Sequence, residues 1–264
     1  KKLRILHTWG GPGREGLYGV ICKKHHVPAG TVEDTKYLYA KGLADLTRTL
    51  LKTVHLTPLF DAILIDEGQD LAFQEKNLKY KKKQAIYWMA YRALKIPDKK
   101  KPHLRRLIWA YDEYQNISSL SMPTGKEIFG KKKPYRKILR GEYNGGIPKN
   151  ILMKECYRTP GPALLAAHAI GMGMFRSEGL LEGPTSREEW ENLGYSVEGT
   201  FEPGTQITLT RPVEHSKNLI TGYTKYPLIS FQQFTFEAEE FQNLAEKIHE
   251  LIFTHHINPY KRIL

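Results

Sequence analysis

The sequence predicts an α/β protein in which helices flank an open parallel sheet. Two apolar runs, with a helix between them, carry that expectation. Leu59-Phe60-Asp61-Ala62-Ile63-Leu64-Ile65 is a short, nearly continuous apolar stretch that stops in Asp66-Glu67-Gly68-Gln69-Asp70. Arg106-Leu107-Ile108-Trp109-Ala110-Tyr111 repeats the pattern and stops in Asp112-Glu113. A strand that is apolar without alternation suits a parallel sheet covered on both faces, so both runs are expected to be buried. Between them, residues 84–94 place Ile86, Met89, Ala90 and Ala93 at three- and four-residue spacing, which predicts a helix with one apolar face. Strands that deliver polar groups at their C-terminal ends point to a ligand-binding carboxyl edge.

Further along, Ile151-Leu152-Met153 reads as another short strand. Thr159 is expected to cap a helix with Pro160 in its first turn and Leu164, Leu165, His168 and Ala169 on one face. Residues 171–204 are rich in Gly, Glu and Ser and read as loops around short elements. Gln206-Ile207-Thr208-Leu209-Thr210 alternates, which predicts a half-exposed strand, and residues 227–236 are read as holding another. From Glu237 onward Phe241, Leu244, Ala245, Ile248, Leu251 and Ile252 form one stripe, and Glu237, Glu239 and Glu240 complement the N-terminal dipole of the helix this implies. Tyr260-Lys261-Arg262-Ile263-Leu264 reads as the start of a strand, as expected of a piece of a longer chain.

Length and composition bound the function. The 264 residues allow one large or two modest domains, and 41% hydrophobic with 26% charged residues excludes a largely disordered chain. No run of about 18 apolar residues exists, so neither a membrane span nor a membrane partner is expected. The N-terminus lacks the apolar stretch of a secretory signal. Cys22 and Cys156 are too few for a disulfide framework or a four-cysteine zinc site, and the expected location is the reducing cytoplasm. The net charge of +12 is unevenly spread: Lys76 to Arg140 holds 19 basic and four acidic residues, a local +15, whereas the rest nets −3. Such a stretch favours a polyanion, because each neutralised phosphate releases condensed counterions; a purely solvated face is the competing explanation of the lysine runs.

The acidic pair after the first strand carries the chemistry. A carboxylate such as Asp66 can hold Mg²⁺ against phosphates, and a neighbour such as Glu67 can orient or deprotonate water. The full string Asp66-Glu67-Gly68-Gln69-Asp70 resembles motif II of superfamily 1 helicases of the UvrD type. Ala110-Tyr111-Asp112-Glu113-Tyr114-Gln115 is similar to motif III of that family, and Leu152-Met153-Lys154-Glu155-Cys156-Tyr157-Arg158-Thr159 to motif IV, in the family's order. Ile5-Leu6-His7-Thr8-Trp9 is similar to the segment these helicases place against DNA.

The resemblance implies parts of two tandem RecA-like (P-loop NTPase) domains: the back half of the first over residues 1–150, with a lysine-rich insertion at about 70–106, and the front half of the second over 151–264. It implies ATP and Mg²⁺ as cofactors. Asp66 and Glu67 would hold Mg²⁺, Glu67 would activate water, Gln115 would sense the γ-phosphate, and Arg158 would act as an arginine finger, with Asp66, Gln115 and Arg158 around the nucleotide. Arginine suits that task because its planar fork matches phosphoryl oxygens. Gln69 and Asp70 are read as ties between motif II and its neighbours. Nucleic-acid contacts fall to His7, Thr8, Lys81, Lys82, Lys83, Lys131, Lys132 and Lys133, with Trp9, Trp109 and Tyr114 as stacking or core aromatics. The implied partners are single-stranded or partly duplex DNA, or RNA, and the remainder of the helicase chain.

The departures are equally specific. No Gly-x-x-x-x-Gly-Lys-Ser/Thr loop is present: Gly125-Lys126 is followed by Glu127, and Gly10-Gly11-Pro12-Gly13 has no lysine. Motifs V and VI are also missing, and Tyr111 stands where the family shows glycine. The chain is therefore expected to be the middle of a longer helicase and inactive by itself. A non-catalytic nucleic-acid-binding module that keeps the fold is the alternative. A nuclease built on Asp61, Asp66 and Glu67 would need a further acid or lysine cluster.

Overall fold

A computed structural model describes residues 3–36, 38–112, 125–131, 135, 138–139, 141–143, 145–174, 176–178, 183–202, 204–218 and 229–262. The fold is mixed α/β, and the chain divides into two compact units. One comprises Lys1–Met153 with His168–Pro184, the other Lys154–Ala167 with Thr185–Leu264. No helix among the described residues is long and apolar enough to cross a membrane.

The first unit is built on three helices: α1 (Leu17–Lys24), α2 (Tyr39–Thr53) and, later in the chain, α3. α1 and α2 add to the elements expected from sequence, although α2 follows helical spacing, burying Leu43, Ala44, Thr47, Leu50 and Leu51. β1 (Ile63–Ile65) is followed by the hairpin β2 (Lys79–Tyr80) and β3 (Lys83–Gln84), then α3 (Ala85–Arg92), then β4 (Leu107–Trp109). The expected helix and both expected strands are present. β1 and β4 pair in parallel with Ile63, Leu64 and Ile65 opposite Leu107, Ile108 and Trp109. A short helix, α4 (Gly125–Phe129), packs Ile128 and Phe129 into the same core.

Two expectations for this region are corrected. Among the described residues the sheet is covered on one face: Ile63, Ile65, Leu107 and Trp109 pack on the core, while Leu64 and Ile108 stay 68% and 59% exposed. Strand side chains alternate between faces, so an apolar run does not by itself bring a second cover. Conversely, α3 buries every residue from Ala85 to Tyr91 rather than one stripe. α2, α4 and the β2–β3 hairpin pack against it and Trp109 of β4 meets it, as suits a helix that is apolar all round. Its aromatics make an interlocked cluster: Tyr87 meets Trp109 edge-on at 5.7 Å, and Tyr91 meets Phe129 at 5.6 Å.

The C-terminal end of α3 is held by a charge. Arg105 Nη1 donates to the carbonyls of Tyr91 (3.0 Å), Arg92 (3.2 Å) and Leu94 (2.8 Å), and its guanidinium lies 4.7 Å over the Tyr91 ring. A cation there satisfies carbonyls that have no intrahelical partner and complements the negative end of the dipole.

The second unit begins in extended chain and enters α5 (Gly161–Gly171), whose last residues belong to the first unit. α6 (Arg187–Asn192) opens on a capping box, in which the Ser186 hydroxyl accepts from Glu189 N at 3.3 Å and Glu189 Oε2 accepts from Ser186 N at 3.2 Å. β5 (Ser196–Glu198) and β6 (Thr208–Thr210) pair antiparallel, Val197 opposite Leu209, and β6 alternates as its sequence predicts. Arg211 repeats the device seen at Arg105. It donates to the carbonyls of Leu193 (2.9 Å), Lys154 (2.6 Å) and His215 (3.0 Å) beneath the Tyr195 ring.

α7 (Glu237–His249) forms where expected, yet none of its residues is buried; Phe241 and Leu244 are 60% and 54% exposed. Three expected strands do not form. Residues 151–153 are exposed coil, because no neighbouring strand takes up their backbone groups. Of residues 227–236, those described (229–236) carry no strand, and 260–262 belong to a short helix, α8 (Pro259–Arg262), which Pro259 starts.

The buried phenols define a pH limit. Burial pushes Tyr18 up to about 12, and raises Tyr87 and Tyr91 as well. A group with a raised folded pKa contributes stability that is complete below its unfolded value and lost as pH climbs toward the folded one. Thermal stability should therefore hold through neutral pH and fall from about pH 10 upward. Phenolate absorbance is expected to show Tyr18, Tyr87 and Tyr91 ionising only as the chain unfolds; early titration of all 15 tyrosines contradicts this. Arg105→Met, which strands three carbonyls, is expected to cost about 1.5–3 kcal/mol in urea unfolding.

Candidate functional site

The parallel pairing of β1 and β4 brings their two carboxyl ends side by side. Asp66 and Glu67 leave β1, both exposed, and a 3₁₀ turn over Gly68–Leu71 folds the chain back. Glu67 adopts a left-handed backbone, with φ of +50°. A non-glycine residue held there costs about 1–3 kcal/mol and persists only where its surroundings over-determine it.

Those surroundings are identifiable. Gly68 N donates to Ala110 O at 2.8 Å, and the Tyr87 hydroxyl donates to Gly68 O at 2.7 Å. Gly68 admits no side chain: a Cβ there would run into Tyr87 Oη and lie 3.1 Å from Ala110 O. Gln69, 4% exposed, joins the two strand ends, its Nε2 donating to Glu67 Oε2 at 2.7 Å and its Oε1 accepting from Asp112 N at 3.1 Å. Asp66 Oδ1 accepts from Glu67 N at 3.1 Å. Asp70 is exposed. Gln69 is thus the tie between the two strand ends, and Tyr87 is an anchor that sequence reading misses. A hydroxyl 19 residues away that reaches a turn carbonyl leaves no local signal.

Asp61 stands at the opposite end of β1, paired with Lys95 at 3.0 Å, so it does not join Asp66 and Glu67. No group of three or more His, Cys, Asp or Glu side chains suited to a metal occurs among the described residues. Two exposed carboxylates match a divalent cation such as Mg²⁺ in kind, since it keeps several waters and takes one or two carboxylates. Among the described residues, neither glycine segment is free to cradle nucleotide phosphates. The Gly10–Gly13 turn spends the amides of Gly10 and Gly11 internally: Gly11 N and Arg14 N each donate to the other's carbonyl at 3.0 Å, and Gly10 N donates to His7 Nδ1 at 3.1 Å. Gly125 is a packing glycine, its would-be Cβ 2.9 Å from Leu139 Cδ1.

The remaining predicted residues divide as follows. Gln115, Tyr114, Lys132 and Lys133 lie outside the described residues. Arg158 is exposed in the second unit, where its carbonyl accepts from Asn218 Nδ2. Beside it Glu155 pairs with Lys217 at 2.7 Å, and that ammonium, with the Tyr157 hydroxyl, holds the carboxyl below its usual range. His7 is exposed but engaged in the Gly10–Gly13 turn, and Thr8 is half-buried. Trp9 and Trp109 pack on the core, Trp9 donating from Nε1 to Gly30 O at 2.9 Å.

The basic residues converge at the β2–β3 hairpin. Lys81 and Lys82 form its tip, exposed, and Lys83 follows with its ammonium 4.7 Å over the Trp88 ring. Gly130, next to exposed Lys131, lies against the Lys83 stem, its would-be Cβ 3.5 Å from Lys83 Cγ. Lys81, Lys82, Lys83 and Lys131 are thereby brought from separate segments onto neighbouring surface. Comparison with family models, with curated proteins and with solved structures finds no match for the chain.

Gln69→Leu tests the tie between the strand ends. It strips Asp112 N of its acceptor and should destabilise the first unit by about 1–3 kcal/mol in chemical unfolding. An unchanged midpoint would mean that the bridge holds nothing.

Proposed function

We propose that the chain is part of a superfamily 1, UvrD-like nucleic-acid helicase, contributing the acidic edge of the motor and a nucleic-acid-binding face. The observation that carries this reading is the turn at the carboxyl ends of β1 and β4, where Gln69 clamps Glu67 to Asp112 N. An open α/β sheet binds ligands at that edge. In the proposed role Asp66 holds Mg²⁺, which neutralises phosphate charge. Glu67, with Oε2 taken by Gln69, keeps Oε1 to orient water and hold its proton. The hydrogen bond from Gln69 Nε2 orients the Glu67 carboxylate, the kind of preorganisation that phosphoryl chemistry rewards. Gln115 and Arg158 keep their expected roles within this reading.

A second reading is a nucleic-acid-binding module without a working motor. The self-satisfied Gly10–Gly13 turn favours it. The upstream reading frame separates the two: a Gly-x-x-x-x-Gly-Lys-Ser/Thr loop supports the motor, and a complete frame without one supports the module.

With Mg²⁺ and single-stranded DNA, the 264-residue chain is expected to release phosphate from ATP at background in a malachite-green assay. Robust turnover abolished by Glu67→Gln would show that the chain cradles phosphates after all. Fluorescence anisotropy should show affinity for a labelled oligonucleotide falling at least about tenfold between 50 and 300 mM salt. A flat response removes the lysines from any phosphate contact.

A further inference from the structure

Lys81 and Lys82 occupy a turn that lysine disfavours. Tyr80 pairs with Lys83, leaving two residues in the loop, and these have φ of +47° and +66°. Two positive φ values define a type I′ turn, whose favoured residues are Asn and Gly because they alone tolerate the left-handed region cheaply. The fold makes no visible use of the two ammonium groups. Both residues are exposed, and among the described residues neither has an acidic partner within 4.0 Å; the Lys81 ammonium only lies 5.3 Å over the adjacent Tyr80 ring.

The base of the hairpin, by contrast, is anchored. Gln84 is fully buried and exchanges two hydrogen bonds with Phe73, accepting from its N at 3.0 Å and donating to its O at 2.7 Å. The Lys83 ammonium sits over Trp88. The result is a fixed stalk that ends in two adjacent cations held in solvent.

We infer that this tip is a phosphodiester-binding finger, with Lys81 and Lys82 each neutralising one backbone phosphate of a single-stranded nucleic acid, independent of base sequence. The inference rests on the nucleic-acid reading proposed above and names the residues that carry it. Lysine, a compact charge on a flexible stem, suits phosphate contact without base readout. Strained backbone retained at an exposed tip is the signature of a position kept for its side chain.

The test is the double variant K81N/K82G in the full chain, which gives the turn its preferred residues and removes both charges. The melting temperature is expected to rise by about 2–4 °C as strain is relieved. Affinity for a fluorescein-labelled dT20 oligonucleotide at 100 mM salt should fall at least tenfold, and the slope of log affinity against log salt should shrink by about 1.4. Replacing Lys99, Lys100 and Lys101 with Gln removes more charge from another loop and should change the slope less.

If the double variant melts higher but binds with unchanged affinity and slope while the parent binds, the finger is overturned and the broader reading stands. An equal loss from the Lys99–Lys101 variant also overturns it, in favour of undirected charge. A melting temperature that stays or drops refutes the claim that the lysines are held against stability. If the parent chain ignores dT20 at 50 mM salt but binds phosphatidylserine vesicles, both readings fail together.

Discussion

The first unit depends on how one glycine is enclosed. Gly68 donates to the end of β4 through Ala110 O, accepts from α3 through the Tyr87 hydroxyl, and has no room for a side chain. Strand, helix and acidic turn are therefore fixed to one another at a single residue. Tyr87 is fully buried, so its hydroxyl must find an acceptor, and Gly68 O supplies it. The same enclosure holds Glu67 in its left-handed conformation, because the next residue has no freedom to relax it.

Two of the exposed turns that hold charged residues where glycine or asparagine would be easier are Glu67 at the end of β1 and Lys81 with Lys82 at the hairpin. Both are braced by buried glutamines, Gln69 and Gln84, whose amides saturate backbone and carboxylate groups on either side. A buried amide with both ends satisfied is an inexpensive way to hold an irregular turn, whereas a half-satisfied one would destabilise it. Opposite charges are thus presented from two braced turns of one unit.

Arginine serves structure more than charge here. Arg105 gathers three carbonyls at the C-terminal end of α3, Arg211 gathers three from separate segments, and each lies over a tyrosine ring. Part of the basic excess thereby goes to closing helix ends and loops, while lysines make up the exposed remainder at the hairpin. Apolar surface is also left bare, at Leu64 and Ile108 on the sheet and at Phe241 and Leu244 on α7. These positions obey the periodicity of their elements, which sets the direction of a side chain and not what lies opposite it.

The sequence by itself determined the two parallel strands, the helix between them, α7, and the placement of Asp66 and Glu67 at a strand end. Each is a local pattern: an apolar run, a 3.6-residue stripe, or an abrupt change to acids. The resemblance also marked Gln69 and Asp70 as ties, and Gln69 makes one, while the Asp70 side chain is exposed. Tertiary structure alone decided which face of the sheet is covered, that α3 is buried all round, and that residues 151–153 and 260–262 are not strands. It alone brought Lys81–Lys83 beside Lys131 and set Tyr87 against Gly68. The physical reason is common to all of these. A strand needs a partner, a buried face needs a cover and a hydroxyl needs an acceptor, and each is supplied by residues distant in the chain, so that nothing in the local pattern announces them.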